Sequence, residues 1–145
     1  MIASPDDNEE VYRLFHEQVP ELASGIVEIK AVARERGCRC MVAVYSADER
    51  IDPVGACAGE QGIRLKPIVR QLSGEHIDII RWSDSPQTFI KNTLAPLIIR
   101  SIDLDAACSC ATVRVLAQAD RHAVDPVRLR LTSRLTGWEL RLIET

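Results

Sequence analysis

The segment best suited to binding chemistry is Gly59-Glu60-Gln61-Gly62, two residues without a Cβ flanking two that carry side chains. Such a tetrad lets the backbone turn sharply and brings bare main chain to the surface. At the mouth of a following helix the amides carry partial positive charge and suit phosphate oxygens. Together with Gly55, the same glycines would equally serve plain close packing of two helices. No Gly-Lys-Ser/Thr follows them, so the lysine and magnesium ligand of a nucleoside-triphosphate loop are missing.

The remaining reactive side chains form no such constellation. Five cysteines, Cys38, Cys40, Cys57, Cys108 and Cys110, are an odd number, which argues against a disulfide framework. Cys38-Arg39-Cys40 and Cys108-Ser109-Cys110 could together offer four thiolates to zinc. Their spacing is shorter than the usual ligand spacing, and on a strand each pair would share one face as small apolar filler. No metal or cofactor is therefore expected. Cys57, close to the glycine tetrad, reads either as a thiol activated by a helix end or as a packed small side chain. His16, His76 and His122 are scattered without partners at catalytic spacing, so no enzyme is expected.

The elements that must position the glycine loop are legible around it. Val11, Leu14, Phe15 and Val19 form a helical stripe behind the cap Ser4-Pro5, and Pro20 and Gly25 end it. Residues 26–37 and 38–46 read as an antiparallel pair of strands turning at Gly37. Asp52-Pro53 starts a short helix running into the glycines. A second helix carries Ile63, Leu65, Ile68, Val69 and Leu72 up to Gly74, and HIDIIRW is a third strand. The order then partly repeats with a period near eighty residues. A helix from Ser85-Pro86 bears Phe89, Ile90, Leu94 and Leu97. Strands follow at 98–105 and 111–117, then a helix from Asp125-Pro126 with Val127, Leu131 and Leu135, and a closing strand after Gly137. With 145 residues, 46% hydrophobic and 27% charged, the chain suits two small α+β lobes, 1–83 and 84–145, packed tightly together.

A Gly-x-x-Gly between two helices, after a hairpin and before a third strand, is the device by which a KH domain clamps the backbone of about four nucleotides. The runs VPELASGIVEIKAVARERG, VAVYSADERIDPVGACAGEQGIRLKPIVRQLSGEHIDIIRWSD, FIKNTLAP and RLTSRLTGWEL resemble the tandem KH region of the bacterial transcription elongation and termination factor NusA. The resemblance implies two type II KH domains, each a three-stranded sheet backed by helices. It implies an RNA-binding protein of termination, pausing and antitermination, with single-stranded RNA as ligand and RNA polymerase or other transcription factors as partners. By position, Gly59, Glu60, Gln61 and Gly62 match the clamp, and amides from Gln61 to Ile63 would hold phosphate. Arg64 and Lys66 would add countercharge, and Val54, Ala58, Ile63 and Ile79 could line a groove for bases or instead be core.

Three departures accompany the resemblance. Glu60 stands in the loop where the family usually has a basic residue. The second lobe reads RHAVDPVRLRLTS where a glycine loop is expected, so it should keep the fold without the clamp. Arg121, Arg128, Arg130 and Arg134 there would either hold RNA or be solvated. The chain has no room for the family's polymerase-binding and S1 domains, so a shortened or divergent relative is expected.

A net charge of −3 confines any nucleic-acid site to a local feature. Few aromatics argue against stacking platforms. The alternative class is a pseudo-KH scaffold that contacts polymerase or ribosome and binds little RNA. The start MIASPDDNEE lacks the regions of a signal peptide and no run suits a membrane span, so a cytoplasmic protein with no membrane partner is expected.

Overall fold

A computed structural model describes residues 5–95, 97–116 and 126–144. The chain divides into two compact units, Met1–Trp82 and Ser83–Thr145. Each contains one three-stranded sheet with helices against it. Among the described residues no helix is long and apolar enough to cross a membrane. The caps expected at Ser4 and Asp125 lie outside the described residues.

In the first unit, α1 (Pro5–Gln18) buries Val11, Leu14 and Phe15, the expected stripe. The helix does not simply end at Pro20. Proline at a first helical position loses no hydrogen bond, so a second helix, α2 (Pro20–Ser24), restarts there. Gly25 closes it in the left-handed region at φ 84°, its N–H donating to the Leu22 carbonyl. β1 (Glu28–Glu35) and β2 (Arg39–Tyr45) form the antiparallel hairpin, and β3 (His76–Arg81) pairs parallel with β2. A parallel pair cannot be joined by a tight turn. The crossover is made by α3 (Pro53–Ala58), a 3-10 turn (Glu60–Gly62) and α4 (Leu65–Gln71). The glycine loop is the corner of that crossover. Val42 and Val44 of β2, Ile77 of β3, Cys57 of α3 and Ile68 of α4 share one core with the α1 stripe.

A buried ion pair joins the end of β1 to the residue that enters β3, linking the two edge strands of this unit's sheet at one end. The Arg34 guanidinium donates to both Glu75 oxygens, at 2.8 and 3.1 Å, and the Gly37 amide donates to Glu75 Oε1 at 2.9 Å. The side chains are 3% and 0% exposed, with a Glu10 oxygen 3.8 Å from Arg34. Burial disfavours the Arg34 charge, and the Glu75 hydrogen bonds and charge outweigh it, so its pKa is raised.

The second unit repeats the topology with α5 (Pro86–Leu94), β4 (Ile99–Asp105), β5 (Cys110–Val115), α6 (Pro126–Thr136) and β6 (Glu139–Glu144). β4 is antiparallel and β6 parallel to β5. Ser85 caps α5, accepting from the Thr88 amide. Leu97, expected on this helix, lies beyond it. Ala95 precedes a proline and is held extended at ψ 141°, which ends α5 at Leu94, though Leu97 still packs on the core of Ile90, Leu94 and Val113. The repeat is also shorter than the sequence suggests: equivalent strands begin at Arg39 and Cys110, and at His76 and Glu139.

The Cys-x-Cys pairs do not share a strand face. Cys38 and Cys108 are exposed in the hairpin turns before β2 and β5, and only Cys40 and Cys110 are buried on strands. The turns, which hold Gly37 at φ 80° and Ser109 at φ 55°, use up the first cysteine of each pair.

Candidate nucleic-acid interface

The approach to the loop is built at Asp52. Its carboxylate accepts from the Val54 amide at 3.1 Å, and Pro53 sets the first helical residue. A Cβ on Gly55 would sit 2.8 Å from Asp52 Oδ2, so glycine there keeps the cap in place. Cys57, one turn on, is fully buried, and burial followed by the nearby Glu21 charge pushes its thiol up to about 12. It is packing material, without the thiolate character a reactive cysteine needs.

The loop begins at Gly59, whose φ of 75° and ψ of 166° are accessible to glycine almost alone. A Cβ there would also lie 2.8 Å from Arg64 Cγ and 2.9 Å from the Arg64 amide nitrogen. The following turn closes on itself. The Gly62 amide donates to the Gly59 carbonyl, that of Ile63 to Glu60, and that of Arg64 to Ala58, at 3.0, 3.1 and 3.0 Å. Gln61 and Gly62 both take positive φ, 57° and 75°. Of the amides expected to face a ligand, those of Gly62 and Ile63 are thus used inside the loop. Among the turn and loop hydrogen bonds of the described residues, the amides of Glu60 and Gln61 have no acceptor. Both residues are exposed, so the loop tip is open main chain.

The two cations differ. Arg64 is half-buried, its Nη1 3.0 Å from a Glu21 oxygen and donating to the Ala56 carbonyl at 2.7 Å. It braces α3 and α2 from beneath Gly59. Lys66 is exposed, one turn after Gly62. Beside it a cleft of about 570 Å³ runs along α4, lined by Gly62, Leu65, Lys66, Val69 and Arg70. Val54 and Ile79 instead pack against the core, Ala58 is half-buried, and Ile63 is 67% exposed. None of these four lines the cleft. Leu65 and Val69 stand one turn apart on the helix that the second glycine opens, a spacing visible in the sequence but there counted as core. Glu21, which holds Arg64, carries no local sequence signal because the contact spans distant elements.

The second unit has no equivalent loop among its described residues. Pro126 opens α6, and Arg128 is neither a free cation nor solvated. Its guanidinium donates to the Thr93 and Ala95 carbonyls at the end of α5, satisfying groups that a helix leaves open. Arg121 and His122 lie outside the described residues. His16 meets the Tyr12 carbonyl and His76 meets Asp78, so neither stands in a catalytic arrangement.

Two α+β units, each a three-stranded sheet backed by helices and the first with a Gly-x-x-Gly at the corner of its parallel crossover, define a KH-like architecture. Residues 6–82 match the NusA-like first KH domain, and the chain belongs to that family. It is 43% identical over 133 residues to the transcription termination/antitermination protein NusA of Thermus thermophilus, covering 90% of this chain and 34% of that protein. The NusA of Rickettsia conorii is 38% identical over 149 residues, 92% of this chain and 28% of the relative. That of Halalkalibacterium halodurans is 38% identical over 130 residues, 88% and 34%. The chain thus spans about a third of the length of these curated relatives. The crystal structure of APE1850 superposes with a TM-score of 0.62 at 17% identity, over 92% of this chain and 94% of that one, a likeness of fold.

Proposed function

We propose that this chain is an RNA-binding element of NusA-type transcription control, gripping single-stranded RNA through its first unit and acting in elongation, termination or antitermination together with RNA polymerase. The observation that carries this reading is the loop tip, where Glu60 and Gln61 are exposed and their amides find no acceptor among the turn and loop hydrogen bonds of the described residues, flanked by Lys66 and by an apolar cleft large enough for a base. In this reading a phosphate rests on the two amides, Lys66 supplies the countercharge, and bases lie against Leu65 and Val69. Gly59 and Gly62 keep the surface bare, while Arg64 holds the loop from below. The exposed Glu60 carboxylate opposes a phosphate, so affinity is modest, and the Lys66 contact makes it fall with salt.

Titration of labelled single-stranded RNA at two salt concentrations tests this. Gln61→Asp should weaken binding at least tenfold while the circular dichroism spectrum stays unchanged. Undiminished binding by that variant would remove the loop from the site. Retention on polymerase after ribonuclease treatment, with no RNA affinity in the titration, would favour the protein-scaffold reading that Glu60 suggests.

A further inference from the structure

Each unit carries a cleft between its first long helix and the edge strand beside it, in the first unit away from the glycine loop. In each, a cation sits where the ladder slips. The β1–β2 register shifts between Ile29 and Ala31, leaving Lys30 as the extra residue, and the β4–β5 register shifts between Ile99 and Ser101, leaving Arg100. A bulge at a sheet edge re-aims the side chain it carries. Lys30 lines a cleft shared with Tyr12, His16 and Glu28, and Arg100 lines one shared with Gln87, Thr88, Lys91 and Ser101.

The two clefts differ in charge. In the first unit the lysine is already engaged. Its Nζ is 3.2 Å from a Glu28 oxygen and lies 5.2 and 5.0 Å from the Tyr45 and Trp82 ring centres, the rings themselves packed edge to face. In the second unit the lining holds two cations and no carboxylate, and neither Lys91 nor Arg100 is paired among the described residues. Three neutral hydrogen-bonding side chains surround them: Gln87, Thr88 and Ser101. The cleft measures about 230 Å³, below the usual span of a small-molecule pocket and ample for a phosphate with its sugar. Unpaired cations with hydroxyl and amide donors match a phosphodiester, and the edge of β4 leaves main-chain groups beside them.

We propose that the α5–β4 cleft is a phosphodiester site for single-stranded RNA, with Arg100 and Lys91 as its cations, by which the second unit contacts nucleic acid without a glycine loop. This rests on the RNA-binding reading of the first unit.

The test uses the full chain and labelled oligouridylates, a tetramer and a dodecamer, titrated between 50 and 200 mM salt. Removing two phosphate contacts lowers the salt slope by about 1.4, so wild type should lose about sevenfold more dodecamer affinity across that range than the double variant Lys91→Gln/Arg100→Gln. Tetramer binding should change little. An equal charge loss at Arg13→Gln/Arg50→Gln, both exposed and remote in sequence from the α5–β4 cleft, should leave the dodecamer slope near the wild-type value.

An unchanged slope in the cleft variant, with Gln61→Asp still weakening binding, would overturn the cleft and leave the loop standing. Equal slope losses in the cleft and control variants would also overturn it. Absence of RNA binding by wild type would remove both readings. Inorganic phosphate supplies the last arm: if it shifts the amide resonances of residues 99–102 and the dodecamer does not, the cleft holds a free anion and the RNA proposal falls.

Discussion

Glu75→Ala should destabilise the first unit by about 3–5 kcal/mol, a large share of the stability of a domain this size. The carboxylate is fully buried, accepts two hydrogen bonds from Arg34 and a third from the Gly37 amide, and its loss strands a guanidinium that is itself 3% exposed. Glu10, at 3.8 Å, is too distant to replace it. The pair ties the β1–β2 turn to the chain entering β3, so the damage falls on the sheet that carries the crossover. Urea unfolding followed by tryptophan fluorescence in a Trp138→Phe background, which leaves Trp82 as the reporter, measures this. The double variant Arg34→Met/Glu75→Leu should recover most of the loss, because apolar replacement removes the stranded charge along with its partner. A loss below about 1 kcal/mol for Glu75→Ala would mean that water reaches Arg34 and that the pair does not organise the sheet.

The second large effect separates the two loop glycines. Gly59→Ala should cost about 1–3 kcal/mol in backbone strain alone, with a further steric cost, because its φ and ψ lie in a region L-residues avoid and the new methyl would press on the Arg64 amide. That collision is with main chain and with the brace of the loop, so RNA binding should disappear as well. Gly62→Ala should cost only about 1–2 kcal/mol, since its φ is also positive but the nearest atom to a new Cβ is Lys66 Cε at 3.9 Å. Thermal unfolding and RNA titration of the two variants check the contrast. Equal stability losses would contradict the geometry of Gly59.

The legibility of this chain follows from how local each signal is. The α1 stripe, the Asp52-Pro53 and Ser85-Pro86 caps, and the hairpin turning at Gly37 are dictated by neighbours in sequence, and each element formed where its residues indicate. The glycine tetrad was equally visible, because positive φ and bare main chain are properties of the residues themselves. What the sequence concealed depends on distant partners. Arg64 reads as a free cation until Glu21 is found beside it, and Arg128 until the end of α5 is; Glu75 carries no local signal, since its partner Arg34 lies on a distant strand. The amides of Gly62 and Ile63 were expected to face a ligand. The tightness of the turn, which no residue type announces, turned them inward. The Arg100 bulge is likewise a matter of strand register, legible only once two strands are paired.

The central claim is that the main chain at the loop tip receives an RNA phosphate. An amide-resolved NMR titration of the full chain with a short single-stranded RNA tests it most directly. At saturation the Glu60 and Gln61 amide protons should show the largest downfield shifts, with smaller changes at Leu65 and Val69. RNA that binds to saturation while these two amides stay unmoved would contradict the account.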